Sequence, residues 1–287
     1  MTADRGSDRD SARDPAPKPP PEVIAYYDAY PEETRLATGR SRLEFERSKE
    51  ILLRALPKPP ARVIDVGAGA GVYSAWLAEE GYDAHLVDAS ERLVTLARKQ
   101  DATRAKPIAS FTVADARRLP QADGFADAVL VMGPLYHLQE GADRAAALRE
   151  AYRVLARGGV VAAAAISRFA PSLDGLASGF TRDPRFVEIR DRGLRDGRHV
   201  NDTATRDYFT TAYLHRPDEL RGELASAGFG SVFVLGVEGP AWIVPDFEER
   251  WKDGAQREDL LHVARVLESE PAIVGASAHL MAIGRKP

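Results

Sequence analysis

Three short segments of this chain place glycines or a carboxylate where a nucleoside can be held. In the first, Val63-Ile64-Asp65-Val66-Gly67-Ala68-Gly69-Ala70-Gly71, an apolar run passes straight into Gly-x-Gly-x-Gly. Glycines permit backbone angles closed to other residues and let main chain approach a ligand with no Cβ between them. Alone, such a segment is a plain tight turn or a dinucleotide fingerprint, whose usual G-x-G-x-x-G spacing sets the third glycine one position later. The second is Asp88, which closes the apolar stretch His85-Leu86-Val87. A carboxylate there can accept hydrogen bonds from both hydroxyls of a ribose, the alternative being an acid at the N-terminus of a helix begun by Ser90 and Glu91. The third is Asp115 in Val113-Ala114-Asp115-Ala116. Its carboxylate can accept from an adenine amino group while the Ala116 amide meets a ring nitrogen; the alternative is a surface turn.

The elements that must place these residues alternate strand and helix. Strands are expected at residues 62–65, 85–87, 111–113, 128–132 and 160–166, with helices over 72–80, 91–99 and 144–157 between them. Such alternation calls for a parallel sheet covered by helices on both faces. Ligands of open sheets of this kind sit at the carboxyl ends of the strands, where all three segments fall. A helix over 41–56 precedes the first strand and is ended by Pro57, Pro59 and Pro60. Gly158-Gly159 is expected to close the 144–157 helix with a left-handed cap.

After residue 166 the rhythm breaks, and aromatics are scattered through a long polar segment that includes Phe169, Phe180, Phe186, Tyr208, Phe209 and Tyr213. Pattern returns with a helix opened by Pro217 and ended by Gly228. A sixth strand follows over 231–237, then a helical stretch with Leu260, Ala264 and Leu267 on one face, then a seventh strand over 278–284. The chain thus divides into four parts. Residues 1–21, charged and proline-rich, form a tail expected to be disordered; 22–167 form an α/β core with an N-terminal helical cover. An inserted lid spans 168–214, and the rest of the core spans 215–287.

Composition narrows the partners. Lys and Arg total 39 against 43 Asp and Glu, a formal charge of −4, which gives no general attraction to nucleic acid or anionic membrane. There is no cysteine, so disulfides and thiolate metal sites are impossible. No apolar stretch reaches the roughly 18 residues of a membrane helix, and the charged N-terminus is not a signal peptide. The expectation is a cytoplasmic protein with a small-molecule partner and neither nucleic acid nor membrane, as monomer or homodimer.

Taken together, the segments resemble the class I S-adenosylmethionine-dependent methyltransferases of the UbiE-like, type 11 group. The resemblance rests on VIDVGAGAG, HLVDAS, VADARRLP, GPLYHL after the fourth strand and LREAYRVLARGG before the fifth. It runs from about residue 23 to about residue 285 and is most specific from 62 to 166. It implies a Rossmann-like α/β fold with a seven-stranded, mostly parallel sheet, the last strand antiparallel, and S-adenosyl-L-methionine as cofactor. It also implies that Gly67, Ala68 and Gly69 approach the methionine part, Asp88 the ribose, and Asp115 and Ala116 the adenine, with Ala89 and Gly133 in the same site. Members of the group fold an N-terminal segment over the cofactor. In YYDAYPEETRL the candidates are Tyr26, Tyr27, Glu33 and Arg35: an aromatic face against a sulfonium, and an arginine on the methionine carboxylate. Ordinary packing of the tyrosines is the alternative.

Two departures narrow the chemistry. Methyltransferases of nucleic-acid amines carry Asn/Asp-Pro-Pro-Tyr/Phe after strand four, whereas Val131-Met132-Gly133-Pro134-Leu135-Tyr136 lacks that polar clamp. Catechol-type members place metal-binding carboxylates there, which Met132 and Gly133 cannot replace, so no metal is expected. Tyr136 and His137 then stand where an acceptor meets the methyl group. His137 is either a general base or a packed histidine, and His199 and His215 are weaker candidates for the same role. Tyr136, His199, Tyr208, Tyr213 and Trp242 are expected to line the acceptor pocket. The expected reaction is metal-independent methyl transfer to an oxygen or nitrogen of a small metabolite, by alignment and water exclusion. Rival readings are a nicotinamide-dependent oxidoreductase, a non-catalytic cofactor-binding subunit, and a methyltransferase acting on protein or tRNA.

Overall fold

Strands that must bury both faces read as unbroken apolar runs, and they set this architecture. In the computed structural model, which describes residues 32–203 and 205–287, five strands lie parallel, the inner ones buried in this way and the edge strand over Ser110–Val113 half-exposed. These are β1 (Arg62–Val66), β2 (Asp83–Asp88), β3 (Ser110–Val113), β4 (Ala126–Val131) and β5 (Leu155–Ser167), in the order β3-β2-β1-β4-β5. The helices are α1 (Glu32–Arg35), α2 (Ser41–Ala55), α3 (Val72–Glu79), α4 (Glu91–Asp101), α5 (Pro134–His137) and α6 (Gly141–Val154), then α7 (Ala170–Ser178), α8 (Pro184–Asp196), α9 (Pro217–Ser226), α10 (Phe247–Lys252) and α11 (Gly254–Leu267). Alternate strand residues divide the core in two. Val63, Ala128, Leu130 and Ala162 pack with Leu52 of α2 and Leu77 of α3. Ile64, Val129, Val131 and Val161 pack on the other face with Leu148 of α6 and Leu220 of α9.

Four more strands complete the sheet: β6 (Arg198–His199), β7 (Ala212–His215), β8 (Gly230–Gly236) and β9 (His279–Arg285). The last, β9, runs antiparallel between β5 and β8, as the resemblance implied. The expected seven strands are thus present, and the inserted segment adds two. β7 continues the sheet in parallel beyond the end of β5, pairing Ile166 with Leu214 and Ser167 with His215, and β6 pairs antiparallel with β7. Strands this short carry no readable period, and the helices α7 and α8 of the same segment were not anticipated either.

The expected 144–157 helix also differs. It spans Gly141–Val154, and Leu155 already pairs with Ala126 as the first residue of β5. Gly158 does take a left-handed angle, φ 77°, but within a register shift between β4 and β5 rather than at a helix cap. The tail over 1–21, together with Tyr26 and Tyr27, lies outside the described residues.

Candidate active site

The carboxyl ends of β1 and β2 are tied together by main-chain contacts. Gly67 turns the chain out of β1 at φ 72°, and the Gly67 and Ala68 N–H groups both donate to the Val87 carbonyl at 2.8 and 3.2 Å. Asp88 completes the tie: its Oδ2 accepts the Gly69 N–H and its Oδ1 the Ser90 N–H, each at 2.8 Å. Ser90 in turn caps α4 by accepting the Leu93 N–H at 3.3 Å. A carboxylate has about four acceptor positions, so each Asp88 oxygen keeps one for a ligand. Burial raises the Asp88 pKa, opposed by the bonds from Ser90 and Gly69.

These segments wall a cavity of about 410 Å³. Gly67, Ala68, Gly69, Asp88, Ala89, Asp115, Ala116 and Gly133 all line it, as do Tyr136 and His137. Asp115 is more heavily engaged than its sequence context suggests. Its Oδ1 accepts both the Arg117 main-chain N–H and Nε, and its Oδ2 accepts an Arg117 terminal nitrogen, all at 2.8 Å. Three of its acceptor positions are filled, leaving one on Oδ2.

Asp65, which sequence reasoning passed over as part of the strand, lines the same cavity. It is fully buried, Ser74 Oγ donates to its Oδ2 at 2.7 Å, and its Oδ1 has no partner among the described residues. Burial, with a smaller contribution from Asp88, pushes its pKa up to about 6. The only available signal was an acid inside an otherwise apolar strand.

Pro134 starts α5, and this single turn carries Tyr136 and His137. Tyr136 Oη donates to the Met132 carbonyl at 3.1 Å, and its ring meets that of His137 edge to face at 4.6 Å. Burial pushes the His137 pKa down to about 4, against a bond to the Thr211 backbone. Its ring also stacks on Phe209 at 6.4 Å. Phe209 was not anticipated as a site residue. It holds φ 66°, a conformation unusual for a bulky side chain, and its carbonyl accepts Asn201 Nδ2 at 2.6 Å.

A second cavity, of about 890 Å³, opens beside the first, and Arg35 and Tyr136 line both. His199, Tyr208, Phe209 and Trp242 line the second. His199 Nε2 lies 2.6 Å from the Tyr208 carbonyl, which can only accept, so the proton sits on Nε2. Its buried Nδ1 has no partner among the described residues, and burial lowers its pKa. Tyr208 Oη donates to Asp183 at 2.8 Å, and Trp242 Nε1 to the Ala276 carbonyl at 3.0 Å. Arg35 is held by Glu44, at 2.7 and 3.2 Å.

Tyr213 and His215 are not brought to either cavity. The Arg144 guanidinium covers the Tyr213 ring at 3.5 Å, and Arg168 donates to its hydroxyl at 3.3 Å. His215 is buried against Glu223 at 3.2 Å. Pairing of β7 with the end of β5 turns these two side chains toward α6 and α9, which the sequence could not reveal without the strand.

A strand order of 3-2-1-4-5, one antiparallel strand inserted next to β5 and a nucleoside-sized cavity at the strand ends define the class I methyltransferase architecture. The known relatives agree. A methyltransferase domain family matches residues 64–163. The chain is 34% identical over 213 residues to malonyl-[acyl-carrier protein] O-methyltransferase of Geobacter sulfurreducens, covering 74% of this chain and 68% of that protein. It is 32% identical over 152 residues to demethylmenaquinone methyltransferase of Beutenbergia cavernae, covering 48% and 60%. The chain therefore belongs to the class I S-adenosylmethionine-dependent methyltransferases, whose cofactor is S-adenosylmethionine. It spans less than two thirds of the Beutenbergia protein, and 47% of a demethylmenaquinone methyltransferase of Thermus thermophilus. Among solved structures, an S-adenosylmethionine-dependent methyltransferase of Thermotoga maritima (possible histamine N-methyltransferase) shares the fold. Its TM-score is 0.57 at 19% identity, covering 92% of this chain and 99% of that one. No helix among the described residues is long and apolar enough to cross a membrane.

Proposed function

We propose that this protein transfers a methyl group from S-adenosylmethionine to an oxygen or nitrogen of a small, partly apolar molecule, without a metal. The observation that carries this reading is the meeting of two cavities at Arg35 and Tyr136, one nucleoside-sized and lined by Asp65, Asp88 and Asp115, the other larger and rich in aromatics. Asp65 fits the cofactor: its unpartnered, buried Oδ1 is suited to an ammonium group. Asp88 takes the ribose hydroxyls, Asp115 and Ala116 the adenine edge, and Gly67, Gly69 and Gly133 give the backbone room to approach. When bound, S-adenosylmethionine supplies an electrophilic methyl carbon on a positively charged sulfur. Residues 168–214 serve as a lid that excludes water from the acceptor, and His199 Nδ1 is a hydrogen-bond acceptor inside it.

His137 is read as a positioning residue rather than a base. A pKa near 4 leaves it neutral but poorly matched to proton abstraction at neutral pH, where a base pKa near the working pH is most effective. The expected result for His137→Gln is a raised acceptor Michaelis constant with little change in the pH profile. An acidic limb near the histidine pKa that disappears in His137→Gln would instead make it the base.

Asp65→Asn separates binding from stability. A carboxyl whose folded pKa lies above its ordinary value of 3.8 binds its proton more tightly in the folded state. Its stability contribution therefore declines as pH rises from about 4 to about 6 and stays unfavourable above that, by about 3 kcal/mol. Without ligand, the asparagine variant should melt higher than wild type at neutral pH, the difference shrinking toward pH ~4. It should bind S-adenosylhomocysteine more weakly. A variant that melts lower at neutral pH and binds normally would remove Asp65 from the site.

The function itself is tested by calorimetry with S-adenosylhomocysteine against NADH, followed by transfer of a radiolabelled methyl group to hydroxylated and aminated aromatics. Binding without transfer to any acceptor would favour the non-catalytic reading.

A further inference from the structure

We propose that His279 is the acceptor-binding cation of this site, an imidazolium in the wall of the larger cavity that binds the oxygen of a planar aromatic acceptor carrying an acidic hydroxyl. The proposal rests on the methyl-transfer reading above and names its substrate class. His279 begins β9, opposite Ile166 at the end of β5, and with Glu44 and Glu238 it lines the cavity. Its Nδ1 lies 2.6 Å from Glu238 Oε1 and 3.8 Å from Glu44 Oε2. Glu238 is fixed in turn: its Oε2 accepts Ser277 Oγ at 2.7 Å and the His279 main-chain N–H at 2.9 Å. Arg35, which also lines the cofactor cavity, grips both oxygens of Glu44. Arg35, Glu44, His279 and Glu238 thus form a continuous chain from the junction of the cavities along the acceptor wall.

This arrangement fixes the ring's chemistry. Burial opposes the charged ring, but Glu44 and Glu238 overcome it against Arg35, and the His279 pKa is pushed up to about 9. Nδ1 is committed to Glu238, so the other ring nitrogen, Nε2, is the one left to donate to a ligand. Two carboxylates and two cations cancel within the chain, so an oxyanion meets that donor without surplus negative charge behind it. Glu44, Glu238 and His279 bring possible ligand atoms within 4.8 Å of one another, the spacing of a metal site. Arg35, Ser277 and the His279 ring bond to the carboxylate oxygens of that group and would compete with a metal for them.

The rest of the wall selects the body of the acceptor. Phe180, Phe186, Tyr208, Phe209 and Trp242 line the same cavity, and aromatic rings suit a flat apolar partner. An acidic hydroxyl bound at Nε2 gives up its proton to solvent on binding, which removes the need for a separate base. Its oxygen then forms the bond to the methyl carbon as the carbon–sulfur bond breaks and that electron pair stays on sulfur. One negative and one positive charge are consumed, and both products are neutral at the reacting atoms.

The test uses the full chain saturated with S-adenosylhomocysteine and the probe 4-nitrophenol, whose visible absorbance reports its ionisation. Wild type should bind the probe as its phenolate slightly below the probe's own solution pKa. It should prefer the probe over nitrobenzene, which lacks the hydroxyl, by roughly tenfold to a hundredfold. His279→Gln should lose the preference and keep its S-adenosylhomocysteine affinity. Equal binding of the two probes by wild type overturns the proposal, and that comparison stands even if the variant folds poorly. A preference that survives in His279→Gln overturns it too, as does saturable zinc binding by wild type that His279→Gln abolishes. Failure of wild type to bind S-adenosylhomocysteine would instead overturn the methyltransferase reading beneath it.

Discussion

Asp88→Ala should lower affinity for S-adenosylhomocysteine by roughly tenfold to several-hundredfold, because hydrogen bonds to a charged acceptor contribute about 1.5–3 kcal/mol each. Two free acceptor positions on Asp88 match two ribose hydroxyls. The structure adds a second reason for a large effect. The same carboxylate holds the Gly69 and Ser90 N–H groups at 2.8 Å, so its loss frees the glycine turn and the start of α4 together. Asp88→Asn should not be mild either. An amide presents its NH₂ to one of those two backbone donors, replacing an attraction with a repulsion. Calorimetric titration decides the matter, with thermal melting as the control for folding. Unchanged affinity in the alanine variant would remove Asp88 from the cofactor site.

Gly67→Ala should cost both stability and cofactor binding. At φ 72°, a Cβ on Gly67 would lie 2.5 Å from Pro134 Cδ and 2.7 Å from Cγ. A left-handed non-glycine residue costs about 1–2 kcal/mol, and forcing atoms into packed space typically adds 1–3 kcal/mol. Pro134 is not a flexible side-chain end that can swing away: it opens α5, so relief of the clash moves Tyr136 and His137. A melting temperature lower by roughly 5–10 °C is expected, with cofactor affinity falling in parallel. Gly158→Ala is the comparison, since Gly158 also has positive φ, 77°, but a Cβ there meets nothing within 4 Å. It should show the backbone cost alone and bind S-adenosylhomocysteine normally. If the two variants melt alike and bind alike, the close approach of the β1 turn to α5 is not what the site needs.

The sheet and the lining of the smaller cavity were legible in the linear chain for a definite reason. Parallel strands buried on both faces must be continuously apolar, so an acid or glycine at their ends stands out. Val63-Ile64 leading into Gly67 and His85–Val87 into Asp88 each mark a strand and its cavity-facing end at once, and Phe111–Val113 leads into Asp115 in the same way from the half-exposed edge strand. Local chemistry of this kind survives translation into three dimensions because strand, turn and helix are neighbours in sequence. Asp65 shows where that reading stops. Its place in the strand was visible, but its lack of a partner depends on what packs around it.

The lining of the larger cavity was decided by tertiary structure alone. Tyr213 looked equivalent to Tyr208 as an aromatic of the inserted segment, and His215, just past its end, looked equivalent to His199 as a candidate base. Pairing of a four-residue strand, β7, with the end of β5 carried Tyr213 and His215 onto Arg144 and Glu223 and left Tyr208 and His199 in the cavity. The Arg35–Glu44–His279–Glu238 chain joins residues from α1, α2, β9 and the turn after β8. Nothing in the spacing of residues so far apart announces their meeting. What the sequence determined was the set of contacts made between near neighbours, where propensity and periodicity act. What only the fold decided was which distant charges share a buried wall, because their protonation and orientation follow from one another's positions.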